Sequence, residues 1–245
     1  MIEKKIHYCW FGNNEKSELI KKCIDSWKKY CPDYEIIEWN EENFDVNCNL
    51  YVKQAYSEKK WAFVSDYARL YIIYNFGGIY LDTDVELIKN IDFMLEDEAF
   101  FCFEKENINT GLGFGAKKNN KLVKLMLDDY EQRQFIDENG VYDLTPCPIT
   151  NTLSISKYID MIIDKNQKSV IEGIAFYPES VLCPLDYVTR KLYIKEETVA
   201  IHWYGASWLS SNQKRILKIK RIIRRIIGNE LYENLKSKKR GKNER

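Results

Sequence analysis

The sequence predicts an α/β protein, and three features predict it: a strand–helix–strand opening, long segments of helical period between short apolar runs, and one run too continuously apolar for an exposed edge. Residues 5–11 read as a first strand, stopped by the turn signal Gly12-Asn13-Asn14. Residues 15–30 place Leu19, Ile20, Cys23, Ile24 and Trp27 at helical spacing, and Cys31-Pro32-Asp33 ends that helix. Residues 34–39 form a second strand, so the opening is a parallel unit. Residues 58–76 predict a long helix closed by Gly77-Gly78, with the strand carrying Asp82 and Asp84 directly after it. The run Ala99-Phe100-Phe101-Cys102-Phe103-Glu104 reads as a buried strand. Helices follow at 120–133 and 149–164, and strands at 175–182 and 199–204. Neither an internal repeat nor a low-complexity linker interrupts residues 1–211, which are expected to form a single domain. Residues 212–245 are expected to form a basic amphipathic helix and tail.

A chain of 245 residues with 45% hydrophobic and 14% aromatic content can bury a substantial core and is not of disordered composition. Its seven cysteines are scattered, odd in number and without a CxxC pair, which excludes a zinc knuckle and a disulfide framework and points to reduced thiols. The opening residues lack the features of a secretory signal, and no apolar run reaches membrane-spanning length, so a cytoplasmic protein is expected.

The zero net charge conceals an asymmetry: from Asn212 onward there are 13 Lys/Arg against 3 Asp/Glu, leaving 24 against 34 in the body. Wound at 100° per residue, Ile216, Ile219, Ile222, Ile223, Ile226 and Ile227 gather on one side of the tail helix. Lys214, Lys218, Arg221, Arg224 and Arg225 lie opposite. That profile suits an anionic membrane surface and a peripheral position on the inner face of the cell membrane, the alternative being a helix packed on the body. The basic cluster contains no recognised nucleic-acid module, so nucleic acid is not an expected partner.

Asp82-Thr83-Asp84 is the most telling local feature. Two carboxylates one residue apart on an extended segment face the same way and share a cation or repel. Hard divalent ions are commonly held by one or two carboxylates together with substrate phosphate oxygens, so the pair suggests Mn²⁺ or Mg²⁺ carrying a nucleoside diphosphate. In the preceding helix Asp66 and Arg69, three residues apart, share a face and can reach one ligand, or form a plain ion pair.

Ser65-Asp66-x-x-Arg69, then Gly77-Gly78-x-Tyr80-x-Asp82-x-Asp84, with Ile6-His7-Tyr8-Cys9-Trp10-Phe11-Gly12 near the start, resembles the family 32 glycosyltransferases. These include relatives of yeast initiating mannosyltransferases and bacterial polysaccharide enzymes, and they share the signature with clostridial glucosylating toxins. The resemblance covers residues 1–115 and resumes near 200–208. It implies a GT-A type fold, a Rossmann-like mixed sheet flanked by helices. It also implies roles by position: Trp10 for stacking on the base, Ser65 within the donor-binding set, Asp66 for ribose or sugar hydroxyls, and Arg69 beside the donor sugar. Asp82 matches the carboxylate contacting ribose and sugar, and Asp84 the direct metal ligand. The segment His202-Trp203-Tyr204-Gly205-Ala206-Ser207-Trp208 resembles the closing motif, where Trp208 would support the diphosphate and His202 or Ser207 would complete the metal shell. Asn109 falls where relatives place an asparagine near the sugar. Thr145-Pro146-Cys147-Pro148 departs from the Thr-Gly-Pro segment of many relatives.

The function so implied is retaining, metal-dependent transfer of a hexose from a nucleotide sugar. The donor favoured by the resemblance is a uridine diphosphate sugar, with a guanosine diphosphate sugar as the alternative. A saccharide acceptor, lipid-linked as in capsule or other surface polysaccharide assembly, fits the basic helix. Two other readings share the motif: a toxin- or effector-like transferase acting on a protein, and a non-catalytic cation- or nucleotide-binding module.

Overall fold

The computed structural model describes residues 1–160, 163–205, 211–228 and 232. Its strands are β1 (Lys5–Cys9), β2 (Glu35–Trp39), β3 (Gly78–Tyr80), β4 (Val85–Leu87), β5 (Ala99–Glu104), β6 (Asn107–Ile108), β7 (Phe114–Ala116), β8 (Ser169–Ile171), β9 (Ile174–Tyr177) and β10 (Ala200–His202). The helices are α1 (Glu18–Tyr30), α2 (Leu50–Ser57), α3 (Trp61–Phe76), α4 (Lys121–Asp128), α5 (Cys147–Ser156), α6 (Glu179–Leu182) and α7 (Ser211–Ile227). The chain divides into two compact units, Met1–Pro184 with Ile194–Trp203, and Leu185–Tyr193 with Tyr204–Arg245.

The first unit is built on an eight-stranded mixed sheet in the order β2-β1-β3-β7-β5-β9-β8, with β6 paired to β5. β1 lies parallel to both β2 and β3, as the strand–helix–strand opening requires, whereas β7 runs antiparallel to β3 and to β5. The expected buried strand is β5, whose Ala99 to Phe103 are all buried. The core gathers Val64, Leu70 and Ile73 of α3 with Tyr80, Phe101, Phe114 and Phe176 of the sheet.

Two fixtures aim the sheet edge that carries the acidic motif. His7, buried in β1, accepts from Trp39 Nε1 at Nδ1 (3.0 Å) and donates from Nε2 to the Gly77 carbonyl (3.0 Å). Burial lowers its pKa to about 4, so the neutral ring pins the end of α3 to the sheet. α3 stops there because Gly77 takes φ +67°, a left-handed conformation that costs other residues free energy. Trp27 of α1, fully buried, donates to the Val85 carbonyl (2.7 Å), and Ser26 Oγ accepts from Leu87 N–H (2.9 Å). α1 thereby clamps β4, and β4 pairs antiparallel with β10 to form a second, two-stranded sheet.

Several elements differ from the sequence reading. Asp82 and Asp84 are not on a strand: the ladder ends at β3, Asp82 N–H turns to the Gly111 carbonyl (3.3 Å), and Val85 N–H closes a turn onto the Asp82 carbonyl (3.0 Å). The helix expected from residue 58 begins at Trp61, because Lys59 takes φ +55° and separates it from α2, whose N-terminus the Asn49 side chain caps through Tyr51 N–H. Pro178 ends β9 and opens α6, where the sequence predicts a strand to 182. α5 starts at Cys147, and α4 starts at Lys121 behind its cap Asn120.

In the second unit, Arg221 of α7 lies over the Tyr187 ring (4.3 Å), Arg224 over the Tyr232 ring (4.5 Å), and Tyr187 packs edge-on to Tyr204 (5.0 Å). Ile216, Ile219, Ile222, Ile223 and Ile226 are exposed. Among the described residues no helix is long and apolar enough to cross a membrane.

Candidate active site

Arg69 is the hub of the acidic site. Its side chain is only 4% exposed, and Nη2 lies 3.0 Å from Asp66 Oδ1, one turn back on α3, and 3.2 Å from Asp82 Oδ1 in the β3–β4 turn. The pair three residues apart is therefore buried, not a surface bridge. Nε donates to the Ser65 carbonyl (3.1 Å), and the guanidinium carbon sits 4.9 Å from the Tyr80 ring centroid. Burial disfavours the charge, but Asp82, Tyr80 and Asp66 together hold the guanidinium protonated. Tyr80 O–H also donates to Asp82 Oδ1 (3.0 Å).

The loop after β6 closes over this cluster. Asn109 is buried, donates to Glu104 Oε2 (2.7 Å) and accepts from Gly111 N–H at Oδ1 (2.8 Å). A Cβ on Gly111 would lie 2.6 Å from Asp82 Oδ2 and 2.9 Å from Arg69 Nη1, so a glycine is required for the backbone to approach so near.

Asp84 meets His202 of β10. Pairing of His202 with Val85 and the bond from Trp203 N–H to the Asp84 carbonyl (2.9 Å) bring His202 Nε2 within 3.3 Å of Asp84 Oδ1. Asp82, Asp84 and His202 each present one ligand atom, all within 4.8 Å of one another. Two carboxylate oxygens and an imidazole nitrogen suit Mn²⁺ and also accommodate Mg²⁺. Burial raises the Asp82 pKa to about 6, with Asp84 adding to the rise and Arg69 opposing it. Burial alone would lower the His202 pKa, but the Asp84 carboxylate raises it well above its usual value. Burial likewise raises Asp66, against the pull of Arg69.

Trp10 stands at a second location, an open cleft of about 650 Å³ that it lines with Trp61, Tyr56 and Asn40. Its indole N–H donates to the Asn14 carbonyl (2.8 Å), and Lys16 Nζ lies 5.4 Å from its ring centroid. Cleft and acidic site are joined by one stripe of α3. Trp61 faces the cleft, Ser65 Oγ donates to the Trp61 carbonyl (3.0 Å), and Arg69 follows four residues on. Eight residues of helix rise about 12 Å.

Residues 17–101 match the family model for a glycosyltransferase sugar-binding region containing a DXD motif. The matched residues include Ser65, Asp66, Arg69, Asp82 and Asp84, whereas Trp10, Asn109 and His202 lie outside the match. Inositol phosphoceramide mannosyltransferase 3 of Schizosaccharomyces pombe (strain 972 / ATCC 24843) is 30% identical over 110 residues, covering 40% of this chain. The match spans 29% of that relative's length. Among solved structures, the PaToxG glycosyltransferase superposes with a TM-score of 0.52 at 23% identity, over 65% of this chain and 70% of that one, which shows a shared fold. That fold is the GT-A type, a mixed sheet flanked by helices. A glycosyltransferase involved in glycosylation of the PBCV-1 major capsid aligns over 87% of this chain and 98% of its own at 12% identity, with a TM-score of 0.45.

The structure thus gathers Asp66, Arg69, Asp82, Asp84, Asn109 and His202, with Ser65 behind them and Trp10 in the cleft. Ser207 and Trp208 lie outside the described residues. Sequence reasoning missed Tyr80, Gly111 and Trp61 as parts of these two places, and Cys147, whose Sγ lies 3.9 Å from Arg69 Nη1. Tyr80 is visible in the Gly-Gly-x-Tyr-x-Asp string, but a tyrosine two residues before an aspartate does not announce that it also lies beneath an arginine.

Cation binding must displace the protons of Asp82 and His202, so affinity follows pH. Mn²⁺ titration followed by electron paramagnetic resonance is expected to show affinity falling as pH drops through the raised His202 pKa, and more steeply below about 6, where Asp82 protonates as well. A flat affinity through that window would contradict the site.

Proposed function

We propose that the chain is a metal-dependent, retaining glycosyltransferase that moves a hexose from a nucleotide sugar to a saccharide acceptor. The observation that carries this reading is the Asp82, Asp84 and His202 cluster at the DXD motif, set beside the buried Asp66–Arg69 pair and joined along α3 to an aromatic cleft. The rise of about 12 Å between Trp61 and Arg69 is of the order of an extended nucleoside diphosphate.

In this reading the base lies in the cleft against Trp10, where an indole offers a broad apolar face. Asp84 and His202, with Asp82, would hold Mn²⁺ or Mg²⁺, which would supply positive charge at the diphosphate leaving group. Asp66 accepts from sugar or ribose hydroxyls, and Arg69 offers planar N–H donors beside them. Asp82 also joins the two halves of the site. Paired to Arg69 on one side and near Asp84 on the other, it fixes the sugar-side wall relative to the cation. Asn109 and Gly111 shape the same wall, and only the sequence resemblance assigns Trp208 and Ser207 to the diphosphate. Transfer with retention proceeds by same-face attack of the acceptor hydroxyl on the anomeric carbon as its bond to the nucleoside diphosphate breaks, the hydroxyl proton passing to the departing phosphate oxygen. A uridine diphosphate sugar is the favoured donor and a guanosine diphosphate sugar the alternative.

The acceptor is proposed to be lipid-linked, as in capsule or related polysaccharide assembly, with α7 resting peripherally on the inner face of the cell membrane. Five exposed isoleucines on α7 support this, since an apolar helical stripe lowers its free energy by entering the lipid interface. The yeast relative, named for mannosyl transfer to inositol phosphoceramide, is consistent with a lipid acceptor.

Screening a panel of nucleotide sugars for hydrolysis without acceptor tests the donor reading. At least one donor is expected to be cleaved only with Mn²⁺ or Mg²⁺, and Asp84→Ala is expected to lower the rate by about 100-fold or more with the fold intact. Full activity of Asp84→Ala, or of the unaltered protein in excess chelator, would sink the metal assignment. For the membrane reading, the triple variant Ile219→Asp, Ile222→Asp, Ile226→Asp is expected to lose co-sedimentation with phosphatidylserine vesicles while keeping donor hydrolysis. Unchanged vesicle binding would refute it.

A further inference from the structure

Gly111 is held at both of its peptide groups, and the two holds join β5 to the turn that carries Asp82. Its carbonyl accepts from Asp82 N–H (3.3 Å), and its N–H donates to Asn109 Oδ1 (2.8 Å). Asn109 Nδ2 donates in turn to Glu104 Oε2 (2.7 Å), so three hydrogen bonds run unbroken from Glu104, at the end of β5, to Asp82. Glu104 carries no role in the donor reading above, and it lies beyond the matched residues 17–101.

Chemistry dictates the direction of each bond. A backbone N–H only donates, so the Asn109 atom beside Gly111 is the amide oxygen; a carboxylate accepts, so the atom beside Glu104 is the amide nitrogen. Turned the other way round, the amide would set N–H against N–H at Gly111 and oxygen against oxygen at Glu104. Glu104 therefore selects the one orientation in which Asn109 can hold Gly111. The loop has little freedom to escape that choice, since Asn109 is 7% exposed and Thr110 and Leu112 are fully buried. From its other side α5 holds the same loop: Asn151 Nδ2 donates to Thr110 Oγ1 (2.8 Å), and Thr152 Oγ1 accepts from Ile108 N–H (2.8 Å). Gly111 is thereby pressed on Asp82 and Arg69.

We propose that Glu104 is a positioning residue of the donor site: its carboxylate fixes the Asn109 amide, the amide holds Gly111, and Gly111 holds Asp82 where it pairs with Arg69 and can reach the cation. This rests on the metal-dependent donor reading above. Glu104 acts on Asp82 through two intervening residues and not by contact. Outer partners of this kind orient the ligands themselves, and their loss typically costs about 10- to 100-fold in metal affinity or activity.

Mn²⁺ affinity of the full chain, read by electron paramagnetic resonance at a temperature where circular dichroism shows each variant folded, tests the proposal. Glu104→Ala removes the acceptor from a half-buried strand end and is expected to weaken Mn²⁺ binding by about tenfold. Glu104→Gln can turn its carbonyl oxygen to Asn109 and is expected to lose far less. Asn109→Asp sets two carboxylates across the place of the 2.7 Å bond and is expected to weaken Mn²⁺ binding at least as far as Glu104→Ala. Combined with Glu104→Gln it exchanges donor and acceptor, the new glutamine amide donating to the new aspartate, which still accepts from Gly111 N–H. That double variant is expected to recover most of the affinity that Asn109→Asp loses. A bond that served stability alone would lower the melting temperature and leave the affinity of the folded protein unmoved. Unaltered Mn²⁺ affinity in folded Glu104→Ala, or a double variant no better than Asn109→Asp, would overturn the proposal and leave the donor reading intact. An unaltered protein that binds no Mn²⁺ would overturn the metal assignment and this proposal with it. Should Asn109→Asp fail to fold, Glu104→Ala set against Glu104→Gln decides.

Discussion

A guanidinium taken out of water must be paired, and Arg69 is paired twice, to Asp66 on its own helix and to Asp82 in the β3–β4 turn. The rest of the site follows from that requirement. Tyr80 lies under the guanidinium and donates to Asp82, Gly111 has no side chain so that its backbone can close over both, and Asn109 holds Gly111 there. With Asp82 tied to Arg69, Asp84 is left to face β10 and His202. The arrangement carries a cost at neutral pH. An acid whose pKa rises to about 6 on folding binds more protons folded than unfolded below that value, so the metal-free protein loses stability as pH rises toward about 6. A bound cation offsets that cost, since it favours the ionised carboxylate.

The sheet and the site differ in how far the sequence reveals them. The opening strand–helix–strand unit and the buried strand at Ala99–Glu104 are readable because their apolar patterns are long enough to have a period. The Asp66–Arg69 contact is readable from helical spacing alone. β4 and β10 are harder: β4, at three residues, is too short to show a period, and its pairing with a segment more than a hundred positions later is set by tertiary packing of Trp27 and Ser26. His202 is marked in the sequence by resemblance only, and its approach to Asp84 depends on that pairing.

Alternation along a strand predicts that Asp82 and Asp84 face one spot, but both sit in a turn and point to different partners, Arg69 and His202. They still converge on one small volume, because the turn is closed by Val85 N–H and capped by the Gly111 carbonyl. Cys147 is visible in the sequence only as a departure from a pattern. Its approach to Arg69 arises because α5 packs against the loop carrying Thr110 and Gly111, a long-range arrangement that no local spacing encodes.

Central to the proposed function is one divalent cation, which Asp82, Asp84 and His202 would hold at the diphosphate of a nucleotide donor. A crystal grown with Mn²⁺ and UDP tests it most directly, through the anomalous signal of the ion. A single strong peak is expected within bonding distance of Asp84 and His202, bridged to the diphosphate, with Asp82 reaching it directly or through one water. A peak elsewhere, or well-ordered UDP with no ion between these three side chains, would contradict it.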